Sequence, residues 1–167
     1  MPYWQLFYHV VWATKKREPI LTPDIEESVY GLLYRKAIGL EGKVFALNGV
    51  ADHIHMVVAI PPKIAVATFI GQVKGVASAR YNKESGASVA LYWQAEYGAF
   101  SFDAKRLPNY IAYVERQKEH HAHKTIIPIL ERMDDGAVKI ARDATAIYVA
   151  DDAMWRRELE SLGVDGE

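Results

Sequence analysis

The sequence predicts an α+β domain built on a split βαβ antiparallel sheet, with helices on one face and one further helix appended after the last strand. Two observations carry this. Runs rich in β-branched and aromatic residues alternate with runs of helical spacing, in the order strand, helix, strand, strand, helix, strand, helix. Half of the 167 residues are hydrophobic, enough for one sizeable core. That element order is the one found in ferredoxin-like and RRM-like sheets.

The first strand is expected in Tyr3 to Thr14, a long aromatic and β-branched run. Lys15, Lys16 and Arg17 follow it, either as a solvated strand end or as phosphate contacts beside the sheet. Thr22 or Asp24 can cap the first helix, Pro23 suits its first position, and Val29, Leu32, Leu33, Lys36 and Ala37 give its period. Gly39 or Gly42 ends it.

Val44 to Ile60 reads as two strands around a turn, with turn signals at Asn48-Gly49 and at Ala51-Asp52. After Pro61-Pro62, Val66, Phe69, Ile70, Val73, Val76 and Ala77 mark the apolar stripe of a second helix over Ile64 to Asn82. Lys74 and Arg80 fall outside that stripe and join the Lys15 triplet as candidate phosphate contacts. Leu91 to Phe102 is extended, a last strand with an irregular lead-in. Pro108 permits the start of the appended helix, Asn109 to His121. The short loop Asp103 to Pro108 before it would let that helix lie on its own sheet or swing to a partner's. Beyond it, Ile126 to Leu130 is an apolar run broken by Pro128, Asp134-Asp135-Gly136 is a turn, and 137–149 and 153–162 read as short helices. Residues 1–123 are thus the expected domain and 124–167 a helical extension packing on the domain or on a dimer partner.

Composition narrows the function. Without cysteine there are no disulfides, thiolate metal sites or cysteine nucleophiles, which fits a cytosolic protein. No apolar run is long enough to span a membrane, and the N-terminus has no secretory leader pattern. Twenty basic against twenty-one acidic residues argue against a blanket affinity for nucleic acid but allow a local basic strip.

The residues that could carry chemistry are few. His53 and His55 alternate along a strand, so both imidazoles share one face while Ile54 points to the other. They are either solvent-facing histidines or two ligands of one metal ion, which then needs a third ligand from elsewhere. On the appended helix Tyr113 and Gln117 lie four apart and project from one face. Tyr113 could be a packing residue, but a glutamine oxygen is an acceptable third ligand and would bring a phenol beside the ion. His120, His121 and His123 are read as a metal tract or a solvated helix end.

Three segments together resemble the single-tyrosine HUH transposases of bacterial insertion sequences, the insertion-sequence-200-like family that includes the REP-associated tyrosine transposases. They are Tyr8-His9-Val10-Val11-Trp12-Ala13-Thr14-Lys15, Asp52-His53-Ile54-His55-Met56-Val57-Val58, and Tyr113-Val114-Glu115-Arg116-Gln117-Lys118-Glu119-His120-His121. Phe69 to Tyr81 and Tyr92 to Ser101 look like the family's intervening segments. The resemblance covers roughly residues 3 to 123. It implies that His53, His55 and Gln117 hold a divalent metal, Mg2+ or Mn2+, and that Tyr113 is the nucleophile. It further implies single-stranded DNA with hairpin-forming ends as partner, a 5′-phosphotyrosine intermediate, a bacterial cytoplasmic setting and a homodimer whose tyrosine helix reaches the partner's metal site. Two other readings stand beside it. One is a domesticated HUH nickase; the other is a catalytically silent module that stacks single-stranded bases on Tyr3, Trp4, Phe7 or Tyr8.

Overall fold

β1 (Phe7–Ala13) is the hub of the sheet. It pairs antiparallel with β3 (His53–Ala59) on one side and β4 (Gly98–Phe102) on the other, and β2 (Lys43–Val50) completes the order β2-β3-β1-β4. The computed structural model describes residues 2–133, which lie in a unit spanning Met1–Asp134. With α1 (Pro23–Gly39) and α2 (Val66–Glu84) as the two crossovers, this is the expected split βαβ topology. No described helix is long and apolar enough to cross a membrane.

Side-chain alternation divides the protein into two faces. Val10 and Trp12 of β1 and Ile54, Met56 and Val58 of β3 point toward Leu33 and Ala37 of α1 and Phe69, Val73 and Ala77 of α2, all buried in the main core. The opposite face carries a smaller apolar cluster of Ala46, Val57 and Val114, ringed by Phe45, Tyr110 and Ile111. The appended helix therefore covers the face that the two crossover helices leave open.

That helix is two. α3 (Leu107–Glu115) ends and α4 (Gln117–His123) begins at Arg116, whose φ of -100° and ψ of 21° leave the helical region. The preceding linker is a 3-10 turn, Ala104–Arg106, with the Asp103 carboxylate accepting from the Arg106 N–H. Held in this way, α3 and α4 pack on β2 and β3 of their own chain.

Two local readings of the sequence are corrected. Asn48-Gly49 is not a turn but part of β2, and the chain reverses at Ala51-Asp52. The asparagine serves tertiary structure instead: its Nδ2 donates to the Glu115 carbonyl at 2.9 Å and its Oδ1 accepts from Lys118 Nζ at 2.8 Å, fastening the helix break to the sheet. The regular part of the last strand is shorter than Leu91 to Phe102: its irregular lead-in meets β1 only through the Thr14–Trp93 bridge and is held by side chains. Asn82 brackets Leu91 through both its backbone groups, and Lys74 Nζ donates to the Gln94 carbonyl at 2.7 Å. The helices expected within 137–162 lie outside the described residues.

Gly49 pairs with Ile54, and a Cβ on it would collide with the His53 carbonyl. Gly49→Ala should therefore force β2 away from β3 where the histidines sit, lowering the unfolding free energy by about 1–3 kcal/mol in urea titration, the usual cost of overpacking.

Candidate active site

His53 and His55 are completely buried on the face of β3 turned toward α3 and α4, so neither is a solvent-facing histidine. Three directions of support converge on them. β1 lies beside them, with Val11 opposite His55 and His9 one diagonal step away, so that His9 Nε2 comes within 2.9 Å of His55 Nδ1. From the β2 side, Tyr113 places its ring edge-on to His55 with centroids 6.0 Å apart, and Gln117 follows one turn later, also fully buried. From the β4 side comes a 3-10 turn, Pro128–Glu131, anchored by buried Leu130. Gly98 makes room for that segment, since a Cβ there would collide with the Arg132 carbonyl.

Glu131 closes the cluster. Its Oε2 lies 3.0 Å from His55 Nε2 and 3.1 Å from His53 Nε2, and its Oε1 accepts from the Tyr113 hydroxyl at 2.6 Å. The same hydroxyl accepts from the Ile127 N–H at 3.0 Å. His121 also turns inward rather than ending α4 in solvent: its ring stands 4.8 Å from that of His53, with Nε2 3.6 Å from Glu131 Oε1. His120 stacks on Tyr113 at 4.8 Å.

The charges follow from burial and partners. Burial pushes His9 down to about 3, helped by neighbouring His55, and burial likewise lowers His55 and His121. These imidazoles are neutral at pH 7. Burial opposes ionisation of Glu131, but the His53 and His55 rings crowding its carboxylate outweigh that and hold it far below the ordinary range. Tyr113 is pushed up to about 12, first by burial and then by its hydrogen bond to Glu131. Asp52, partly buried, is nonetheless held below its usual value by His53 and Arg17.

The donor set fits a divalent cation. Asp52 Oδ1 lies 2.6 Å from His53 Nδ1, and an ionised carboxylate can only accept, so His53 carries a proton on Nδ1 and turns its Nε2 toward Glu131. That nitrogen makes no hydrogen bond despite its nearness to the carboxylate. Histidine nitrogens and a carboxylate oxygen thus converge in a buried place, a donor set that suits a divalent cation. The Oε1 of Gln117 is a second buried acceptor without a partner; its Nε2 donates to the Tyr113 carbonyl at 3.3 Å. His53, His55, His121 and Glu131 also bring one ligand atom each within 4.8 Å of one another.

The proposed DNA contacts do not gather here as a set. Arg17 reaches the rim, with its Nε 3.1 Å from Asp52 Oδ2, and Lys15 and Lys16 share its exposed 3-10 turn after β1. Lys74 is buried and donates to backbone carbonyls, its pKa lowered by burial to about 8. Arg80 pairs with Glu84 along α2.

The sequence profile of the family described as "Transposase IS200 like" matches residues 2–117. The chain belongs to the IS200-like transposase family. It is 31% identical over 83 residues to the transposase for insertion sequence element IS200 of Salmonella typhimurium, covering 50% of this chain and 55% of that relative. It is 26% identical over 77 residues to the ISDra2 transposase TnpA of Deinococcus radiodurans, covering 46% and 55%. The chain thus spans about half the length of the curated relatives it matches. Two solved structures share the fold, each with a TM-score of 0.55: a transposase candidate from Deinococcus radiodurans R1, at 20% identity over 70% of this chain and 95% of that one, and the REP-associated tyrosine transposase bound to a REP hairpin, at 11% identity over 72% and 74%.

Two site residues receive no role from sequence pattern, and a third, His121, is read only within a metal tract or a solvated helix end. His9 lies inside a motif that resembles the family, but its role emerges only from the β1–β3 register. His121 is hidden in a histidine-rich helix end. Glu131 follows the short apolar run, and the spacing of Gly98 from the site is the only sequence sign that a segment crosses there. Since Glu131 serves two imidazoles and a phenol at once, Glu131→Ala should lower the unfolding free energy of the metal-free protein by about 1–3 kcal/mol, measured by denaturant titration.

Proposed function

We propose that this chain cleaves and rejoins single-stranded DNA in the bacterial cytoplasm through a tyrosine–phosphate intermediate. The observation that carries the reading is the convergence of a phenol, two histidine nitrogens and a buried amide oxygen on one small region. His53, His55 and Gln117 would hold a divalent ion, Mg2+ or Mn2+. Bound there, such an ion would polarise a non-bridging oxygen of the scissile phosphate and stabilise the charge that builds on it.

The remaining steps belong to the protein. Tyr113 Oη forms the new bond to phosphorus, the bond from phosphorus to the 3′ oxygen breaks, and the phenol proton leaves as the 3′-hydroxyl is released. The phosphoester is conserved as a 5′-phosphotyrosine, so the reverse reaction can join another 3′-hydroxyl without ATP. Asp52 fixes the His53 ring through Nδ1 and Arg17 braces Asp52. The Glu131 carboxylate occupies the place between histidine nitrogens and phenol that a phosphate oxygen needs, so DNA entry requires the 126–133 segment to give way. Its departure would also remove the hydrogen bond and the charge by which Glu131 raises the Tyr113 pKa, together with the opposing Ile127 N–H. A silent base-stacking module would leave this convergence without a use.

A panel of single-stranded hairpin oligonucleotides tests the reading. Wild-type protein should form a covalent protein–DNA adduct that stops in EDTA and returns with Mg2+ or Mn2+, and Tyr113→Phe should form none while still folding and binding DNA. Full activity after exhaustive chelation, or adducts from Tyr113→Phe, would overturn it.

On this reading Tyr113 acts on the site of its own chain, where its ring stands edge-on to His55, whereas the family resemblance implies a reach to a partner's histidines. A homodimer would then hold two self-contained sites. Mixed dimers of His55→Ala and Tyr113→Phe subunits, verified as heterodimers, should stay inactive; recovery of up to about half the sites would instead place the tyrosine in trans.

A further inference from the structure

His9 is a fully buried polar side chain that the proposed chemistry does not use. It stands on β1 among the rings of Phe100, Tyr110 and Tyr113, with centroids 6.0–6.3 Å away. Its Nε2 is 2.9 Å from His55 Nδ1, and its Nδ1 has no hydrogen-bond partner.

We propose that His9 is a positioning residue for the metal centre: its Nε2 accepts the Nδ1 proton of His55, leaving His55 Nε2 bare to bind the divalent cation. The inference rests on the metal-holding reading of the site. A neutral imidazole carries one proton, and a ring that coordinates through Nε2 must keep that proton on Nδ1 and give it to an acceptor. For His53 the acceptor is Asp52. For His55 the side chain within hydrogen-bonding distance of Nδ1 is His9.

The pair has two proton arrangements with the same total charge. In one, His9 Nε2–H donates to His55 Nδ1 and His55 Nε2–H donates to Glu131, which lies 3.0 Å away. In the other, His55 Nδ1–H donates to His9 Nε2, and the His9 proton sits on its buried, partnerless Nδ1. The first suits the closed arrangement with Glu131 in place. The second is the one that binds a cation, and its unpaired Nδ1–H opposes it. The two histidine ligands are therefore supported unequally, one by a carboxylate and one by a neutral ring. The unequal support keeps cation affinity moderate and lets substrate and Glu131 compete for the site.

Nitrogen-15 NMR of the histidine rings reads this directly in the full chain, with and without Mg2+, resonances being assigned through His9→Gln and His55→Ala. The His55 proton should move from Nε2 to Nδ1 when Mg2+ is added. In parallel, Mn2+ affinity is measured by electron paramagnetic resonance on the wild type, His9→Phe and His9→Gln. Phe fills the ring's place without an acceptor and should weaken Mn2+ binding roughly 10–100-fold. Gln restores an acceptor oxygen and should bind within a few-fold of wild type. A His55 proton that stays on Nε2 with Mg2+ bound, or equal Mn2+ affinity in folded His9→Phe, overturns the role. Should His9→Phe fail to fold, the wild-type tautomer measurement decides alone. Absence of any divalent binding by the wild type would sink the underlying metal reading, and this proposal with it, whereas binding without the tautomer change sinks this proposal only.

Discussion

The register of β1 against β3 is the constraint on which the site depends. It pairs Val11 with His55 and Ala13 with His53, and so brings His9 diagonally beside His55. Side chains alternate, and a slip of one residue in β1 would turn Val10 and Trp12 out of the main core and His9 into it. The apolar burial of Trp12, Ile54 and Met56 against α1 and α2 therefore specifies, on the reverse of the same strands, where the histidines stand. Core packing on one face fixes polar geometry on the other.

That division explains what was legible in the sequence. Period-2 and period-3.6 patterns report which face of an element is buried, and they recovered the element order, the split βαβ topology and the pairing of His53 with His55. The Tyr113 and Gln117 spacing pointed to the right region, but no i to i+4 pattern reports the break at Arg116 that sets the two on separate helices. Asn48-Gly49 misled because the pair has strong turn chemistry in isolation, whereas here the asparagine side chain is used by the tyrosine helices and the glycine by a close backbone approach. Glu131 was illegible for a different reason. Its place is set by a long-range crossing near Gly98, and no periodicity encodes a contact between a single carboxylate and rings some eighty positions earlier.

The electrostatics of the site contrast with the balanced charge of the chain. Overall the formal net charge is -1, yet the centre gathers its imidazoles between the two ionised carboxylates Asp52 and Glu131. In a low dielectric such a cluster attracts a cation more strongly than the same groups would in water. The carboxylates differ in place: Asp52 holds the His53 ring at Nδ1, while Glu131 stands between the two Nε2 atoms and the Tyr113 hydroxyl.

The break at Arg116 settles how one helical region supplies two kinds of group. An unbroken helix would carry Gln117 past Tyr113 by the ordinary i to i+4 rotation of about 40°, and both would point along one line. With the chain turned at Arg116, α4 starts afresh at Gln117, and its first residue is fully buried while its amide still reaches the Tyr113 carbonyl. Lys118, one residue on, ties the new helix to Asn48 on β2 and to Glu26 on α1. The phenol is thus held from α3 and the amide oxygen from α4, on two short helices fastened separately to the same sheet. Because that sheet also carries His53 and His55, the phenol, the amide and the two imidazoles are all held on one frame.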